Sequence, residues 1–214
     1  MSVRERKERE RANRHRLIVS TARELAETHG WDAVTTRRLA ELIEYSQPVL
    51  YSHFRGKREI VGAVALEGFA ELTSALRAAV PEGLAGRDAV PEGPAGRDAV
   101  PDGPLGRDAV ARLARAYTDF AARNHALYDA MFILDNGLPF ADEATPGPLR
   151  EAFQAPLDPL VDHANPDEPG LFVETFWAAL HGLVTLTRAG RLPAERVADR
   201  LALLVDHFVP RGIG

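Results

Sequence analysis

The stretch TTRRLAELIEYSQPVLYSHFRGK, residues 35–57, decides the fold of this chain. It holds two short segments with apolar residues at helical spacing, and the residues between them fit poorly into either helix. Thr35 or Thr36 can cap the first segment and Ser46 the second, where Pro48 falls in the first turn and removes no intrahelical hydrogen bond. The pattern is typical of a helix-turn-helix, and an αα-hairpin with ordinary capping residues is the alternative interpretation.

The second segment has an apolar face and a polar face. On a helix that begins at Ser46, we expect Val49, Leu50 and Phe54 to point inward. The second helix of a DNA-binding helix-turn-helix enters the major groove, where Gln can bond an adenine edge and Tyr or Ser can reach a phosphate. Beyond it, Lys57 opens a further helical pattern that can hold a phosphate with a backbone amide and an ammonium group. The residues of the outward face are Gln47, Pro48, Tyr51 and Ser52.

Several positions in the first third of the chain agree with one known family. From about residue 14 to residue 61, the sequence resembles the N-terminal domain of TetR-type transcriptional regulators. One departure lies in the turn, where Glu44 stands in place of a common glycine and must adopt the turn geometry without glycine's freedom. The residues that carry the resemblance are Gly30, Trp31, Thr35, Thr36, Leu39, Ala40, Leu50, Tyr51, Ser52, His53, Phe54 and Lys57.

The resemblance implies an all-α fold with two functional parts. The N-terminal part, residues 13–58, is expected to be a three-helix helix-turn-helix DNA-binding domain, and residues 59–214 a C-terminal helical ligand-binding and dimerisation domain. Such a protein is a sequence-specific repressor that a small hydrophobic or aromatic ligand releases from a palindromic operator. His53 can alternatively be a packing residue. The residues expected to contact double-stranded DNA are Thr36, Gln47, Pro48, Tyr51, His53 and Lys57.

The second half of the chain contains two clear amphipathic helices, over residues 171–189 and 192–208. By the same resemblance, this pair makes a homodimer, which a palindromic operator requires. Trp177, His181 and Gly182 resemble the C-terminal domain of the subgroup named after its Trp-His-Gly residues. They are either packing residues, with Gly182 admitting another helix, or part of an effector pocket. The expected pocket residues are Tyr117, Phe120, Tyr128, Met131, Phe132, Phe176, Trp177 and His181.

Composition limits the other function classes. The 214 residues include no cysteine, which excludes disulfides and thiolate-ligated metals. The formal net charge is −5, but residues 1–60 carry +4 and the remainder −9, which suits a basic DNA-reading part. No apolar run approaches the roughly 20 residues that span a bilayer, so we expect a cytoplasmic protein without membrane contact. No catalytic motif is recognisable, and we expect no enzyme, cofactor or metal. An all-helical ligand-binding or interaction protein without DNA binding is the alternative function.

Two segments fit no compact helix. Residues 1–16 carry six Arg and one Lys against three Glu. They are either a solvated tail or frayed helix extension, or an arm that contacts DNA phosphates or the minor groove. Residues 79–108 form three decapeptide copies, AVPEGLAGRD, AVPEGPAGRD and AVPDGPLGRD, and we expect residues 80–108 to be a flexible insertion. Helices are predicted over residues 13–29 and 57–79, from residue 109 to a break near Asn124, and less regularly over 148–163.

Overall fold

Helices form the part of the chain that the computed structural model describes, residues 2–80, 104–139 and 168–209, and no strand occurs in it. The prediction of an all-α fold is confirmed. Short 3-10 turns cover Trp31–Ala33 and Ala194–Arg196. The helices are α1 Val3–His29, α2 Thr36–Leu42, α3 Gln47–Tyr51, α4 Lys57–Ala79, α5 Pro104–Arg123, α6 His125–Phe132, α7 Pro169–Arg188 and α8 Val197–Phe208.

The chain divides into two compact units. The first consists of Met1–Glu71 and Asn124–Leu149, and the second of Leu72–Arg123 and Arg150–Gly214. Most of α4 therefore belongs to the first unit and its last turns to the second. Helix α6 belongs to the same unit as the helix-turn-helix segment, although it follows about 70 residues later in the sequence.

Helix α1 begins ten residues before its predicted start at residue 13, at Val3. Ser2 and Glu5 form a capping box: the Ser2 hydroxyl accepts from the Glu5 amide at 3.2 Å, and the Glu5 carboxylate accepts from the Ser2 amide at 2.9 Å. Ion pairs one turn apart, such as Arg4 with Glu8 at 2.9 Å, add support along the exposed surface. The predicted start at residue 13 was wrong because it relied on apolar periodicity, whereas the capping box and ion pairs that extend the helix need no apolar face.

Other helix boundaries also differ from the predictions. Helix α5 begins at Pro104, inside the third decapeptide copy, because proline is tolerated in the first helical turn. Residues 104–108 of the predicted flexible insertion are therefore helical, and its residues 81–103 lie outside the described residues. The helix predicted over 148–163 also lies outside them. The predicted helix over 192–208 is instead the 3-10 turn Ala194–Arg196 followed by α8.

Hydrogen bonds and apolar packing hold the start of α6 against the end of α1. The carboxylate of Glu27 accepts hydrogen bonds from the amides of Ala126 and Leu127 at 3.1 and 3.0 Å. These amides lie in the first turn of α6 and have no partner within that helix. Trp31, which is 8% exposed, donates its indole N–H to the Ala126 carbonyl at 2.8 Å. Trp31 is therefore a core residue of the first unit.

Close approach between α4 and the residues around α6 depends on a glycine. A Cβ placed on Gly68 would lie 2.6 Å from Met131 Sδ and 2.8 Å from Leu127 Cδ1, well inside van der Waals contact. The two helices therefore meet where α4 has no side chain. The buried residues of this unit on these elements include Phe69, Ala126, Leu127, Tyr128, Ala130 and Met131.

The second unit is built from α5, α7 and α8, which contact one another pairwise. Leu113 of α5, Leu180 of α7 and Val205 of α8 are buried in its core. The rings of Phe176 and Phe208 meet edge to face with centroids 5.2 Å apart, which is a favourable aromatic geometry. These are the helical faces that the apolar periodicity predicted.

Two residues with positive φ lie near the helix-turn-helix, one before it and one in its turn. Gly30, which ends α1, has φ +78° and ψ 163°, so its φ is positive but its ψ is extended rather than left-handed helical. In the turn after α2, Glu44 has φ +57°, the one positive φ of a non-glycine residue in the described ranges. The conformation expected for Glu44 is thus adopted without glycine, at a cost of about 1–2 kcal/mol.

Replacing Glu44 tests this backbone cost. We expect Glu44→Gly to raise the free energy of unfolding by about 0.5–1 kcal/mol, because the relief of the left-handed conformation exceeds the entropy that glycine loses on folding. Glu44→Ala is the matched control, since it removes the carboxylate and keeps the Cβ. Urea denaturation of both variants separates the effects: equal stability of Glu44→Gly and Glu44→Ala would contradict a backbone origin.

Candidate nucleic-acid interface

The helix-turn-helix is held by apolar residues on its inner side. Leu39 of α2 and Leu50 of α3 are fully buried, and Phe54, which follows α3, is 4% exposed. Thr35 caps α2, since its hydroxyl accepts from the Arg38 amide at 3.1 Å. Leu42, whose spacing matched the apolar pattern of α2, is half exposed. The inner face is therefore narrower than the sequence indicated.

Helix α3 begins differently from the prediction. Ser46 has extended N-cap geometry, but its side chain makes no capping hydrogen bond. Its carbonyl instead accepts from the amides of Val49 and Leu50 at 3.0 and 3.4 Å. Pro48 lies in the first turn, where its missing N–H removes no helical bond. The start of α3 is thus stabilised by backbone contacts and by proline.

The outer side of α3 carries most of the predicted DNA-contacting residues. Gln47 and Pro48 are exposed, and Tyr51 is 51% exposed one turn after Gln47. The Tyr51 hydroxyl lies 3.4 Å from the hydroxyl of Thr36, which is half-buried at the start of α2. The structure therefore brings Thr36 and Tyr51 together across the two helices, beside the exposed polar start of α3.

Lys57, at the first position of α4, is exposed along its side chain but anchored at its tip. Its ammonium group donates a hydrogen bond to the carbonyl of Trp31. The Arg55 amide, two residues earlier, donates to the carboxylate of Glu59 at 2.8 Å. An ammonium has three donors, so Lys57 retains capacity for a phosphate oxygen.

His53 has features of both a packing residue and a surface residue. It is half-buried, and its ring centroid is 6.4 Å from that of His15 on α1. Burial lowers the pKa of His53, and the positive charges of Arg11, His15 and Arg14 lower it further. This basic neighbourhood was not predicted, although Arg11, Arg14 and His15 are spaced to share one face of a helix.

Three of the predicted pocket residues lie on α6, in the first unit. Tyr128 and Met131 are buried and Phe132 is half-buried. The ring centroid of Phe132 is 4.8 Å from that of Tyr128 and 5.4 Å from that of Phe69 on α4. Met131 and Phe132 also line a groove of about 360 Å³, together with Arg58 and residues 134–139. Arg58 Nε lies 2.9 Å from a carboxylate oxygen of Asp135 at this groove.

The other five predicted pocket residues lie in the second unit. Tyr117, Phe120 and Phe176 are buried in its core. Trp177 and His181 are half-buried on α7, with ring centroids 5.6 Å apart and an interplanar angle of 32°. Burial lowers the pKa of His181, so its imidazole is neutral at neutral pH and can both donate and accept. The structure therefore divides the predicted pocket set between the two units.

The surroundings of Gly182 are open among the residues that the structure describes. A Cβ placed on this residue would meet no atom of the described residues within 4 Å. Within that same part of the chain, no three His, Asp or Glu side chains come together as a metal site. The segment Gly170–Arg188 is long and apolar enough to cross a membrane, with a mean hydropathy of 1.2 over an 18-residue window of which 17% is buried. Length and composition alone are weak support for a membrane span.

Two family models match the chain on either side of the decapeptide copies. The model of bacterial regulatory proteins of the tetR family matches residues 18–64, which include α2, α3 and the start of α4. The model of the tetracyclin repressor-like C-terminal domain matches residues 110–208. The chain belongs to the TetR family. Regulators of this family are DNA-binding transcriptional repressors with a ligand-binding C-terminal domain.

Known proteins are similar to this chain to different extents. The tetracycline repressor protein class C of Escherichia coli is 46% identical over 48 residues, which span 22% of each chain. The match therefore covers about a fifth of that relative. A protein of unknown function from Rhodococcus sp. RHA1 has a TM-score of 0.63 and 25% identity, over 91% of this chain and 93% of its own. The TetR family transcriptional regulator PfmR from Thermus thermophilus has a TM-score of 0.57 at 20% identity, over 88% and 96%, and so shares the fold.

Proposed function

We propose that this TetR-family chain is a sequence-specific transcriptional repressor that reads a palindromic operator with α3. The observation that carries the proposal is the pair of opposite faces on α3. Leu50 fixes the helix from inside, while Gln47 and Tyr51 stand exposed one turn apart on the other side. A short helix with exposed polar residues at its start suits the major groove. In this proposal, residues 13–58 are the DNA-binding domain and residues 59–214 bind the effector and the second copy.

The proposed contacts divide into base reading and positioning. Gln47 reads a base edge, because its amide can pair with adenine in two hydrogen bonds. Tyr51 and Lys57 hold phosphates, and Thr36 supports Tyr51 through the contact between their hydroxyl groups. Pro48 packs against the groove beside Gln47, and His53 lies at the end of α3 nearest α1. No catalytic role is proposed for any residue.

The proposed homodimer forms through α7 and α8. On α7, one side of the helix carries exposed Leu171 and Leu186 with Gly182 between them, and α8 adds Leu203, which is 69% exposed. Such exposed apolar residues in a row are typical of a surface that another protein covers. The open position at Gly182 supports this, because a partner helix can approach there. A dimer contact accounts for the apolar composition of α7 in a cytoplasmic protein.

The proposed effector is a small hydrophobic or aromatic molecule. Trp177 supplies a large aromatic face, and neutral His181 supplies one polar anchor beside it. Binding of the effector lowers the affinity for the operator. The residues of the second unit that we propose for this pocket are Tyr117, Phe120, Phe176, Trp177 and His181.

Variants of α3 and α4 test operator reading. With a duplex that the purified protein selects from a random pool, we expect Gln47→Ala to lose about 1–3 kcal/mol of discrimination at one base pair. Lys57→Ala is expected to weaken binding to all duplexes alike and to reduce the slope of log K against log salt by about 1 per protomer. Arg191→Ala, which removes one exposed charge from the second unit, is the control for Lys57→Ala. Loss on a single operator variant only would contradict the phosphate role of Lys57.

A charged substitution at Gly182 tests the dimer. A Cβ at this position meets no described atom of its own chain within 4 Å, so we expect Gly182→Glu to leave the protomer folded. In a dimer, the carboxylate would be buried without a partner, and we expect the dimer Kd to rise at least about hundredfold. Sedimentation velocity at micromolar concentration measures this. Ala122→Glu, an exposed alanine on α5, is the control, and dimers of unchanged affinity in Gly182→Glu would place the interface elsewhere.

A thermal-shift screen of aromatic compounds tests the effector proposal. We expect at least one compound to raise Tm and to lower operator affinity at the same concentration, because it binds the folded protein. His181→Leu and Trp177→Leu should each weaken binding of that compound at least about tenfold, whereas His29→Leu on α1 should leave its affinity unchanged. A compound that releases DNA and binds both α7 variants normally would show that the pocket lies away from these residues.

A further inference from the structure

The first four turns of α1 form a helical extension that carries no core residue. The first buried side chain of α1 is that of Ile18, and residues 3–14 are exposed. At 1.5 Å per residue, this exposed part is about 18 Å long. It is held by the capping box of Ser2 and by ion pairs rather than by packing. Nothing in the fold of the first unit requires these turns.

Positive side chains on the extension share one helical face, which we name the basic strip: Lys7, Arg11, Arg14 and His15. Lys7, Arg11 and Ile18 are separated by four and seven residues, so the strip continues the face that α1 buries further along. Arg14 lies 3.9 Å from a Glu10 carboxylate oxygen, a weak exposed pair. Within the described part of the chain, no carboxylate pairs with Lys7 or Arg11. The strip thus retains positive charge on a face that has no core to cover.

The basic strip lies next to the end of α3. The ring centroid of His15 is 4.6 Å from that of Phe54 and 6.4 Å from that of His53, and both residues follow α3 directly. Arg11 and Arg14 are near enough to lower the pKa of His53 by their charge. Positive charge therefore runs from the extension to the end of α3 within the first unit.

We propose that the basic strip binds the phosphate backbone of the same duplex that α3 reads, beside the major-groove contact. This inference rests on the proposed function, because α3 has to dock on DNA to bring the strip near phosphates. A duplex is the occupant that the charge favours, since it presents regularly spaced phosphates to positive side chains at helical spacing. Contacts to phosphate add affinity and fix the position of the protein on the duplex, but they do not read its sequence.

Two double variants with equal charge change test the proposal. Lys7→Gln with Arg11→Gln removes two charges from the strip, and Arg9→Gln with Arg16→Gln removes two from the opposite side of α1. Glutamine keeps the helix propensity, which circular dichroism checks. Because long-range attraction falls equally in both proteins, a difference between them reports local contact. The measurement is the dependence of affinity on salt, with the duplex selected from a random pool.

We expect the strip variant to reduce the slope of log K against log salt by about 1–2 per protomer and the opposite-side variant to change it much less. Sequence preference within the duplex should stay the same in both. Equal slopes in the two variants would overturn the proposal, even if Lys57→Ala still weakens binding and the proposed function stands. Failure of the unaltered protein to bind any duplex at low salt would instead overturn the proposed function. An acidic protein as the true occupant would appear as unchanged DNA binding by the strip variant, which also overturns the proposal.

Discussion

The attachment of α6 to the end of α1 is the constraint on which the first unit depends. Glu27 satisfies two amides at the start of α6, and the indole of Trp31 donates to a carbonyl in the same turn. Each bond contributes about 1 kcal/mol, and the bonds to a charged carboxylate contribute more. Because Trp31 also receives the Lys57 ammonium on its carbonyl, the starts of α4 and α6 are fixed on one residue. The position of the helix-turn-helix therefore depends on a helix far away in the sequence.

Local polar interactions and distant ones differ in how well the sequence reveals them. The apolar spacing of Leu39, Leu50 and Phe54 predicted the helix-turn-helix, since burial follows helical periodicity. The first turns of α1 were predicted only as one alternative, a frayed helix extension, because they contain no core residue, although Ser2 and Glu5 stand at capping-box spacing. The bonds of Glu27 to α6 join residues about 100 positions apart, and no local pattern indicates such a pairing.

The candidate sites show the same division. The exposure of Gln47 and Tyr51 follows from the period of a short helix, so the outer face of α3 was predictable. The predicted pocket residues share mostly aromatic side chains, and aromatic character does not indicate where a residue is buried. The structure distributes these residues over two units. Gly182 was interpreted as a place for a neighbouring helix, yet its surroundings in the described chain are open. Composition indicates which residues are apolar, whereas tertiary structure decides what covers them.

The hydrogen bond between the Lys57 ammonium and the Trp31 carbonyl restricts the rotamers of the lysine side chain in the folded protein. A free lysine loses up to about 2 kcal/mol of rotamer freedom when it is immobilised. Here part of that loss is already incurred during folding, so in the proposed DNA contact a phosphate meets a cation whose direction is set in advance. The chain thereby exchanges some of its conformational stability for a smaller ordering penalty at the moment of encounter.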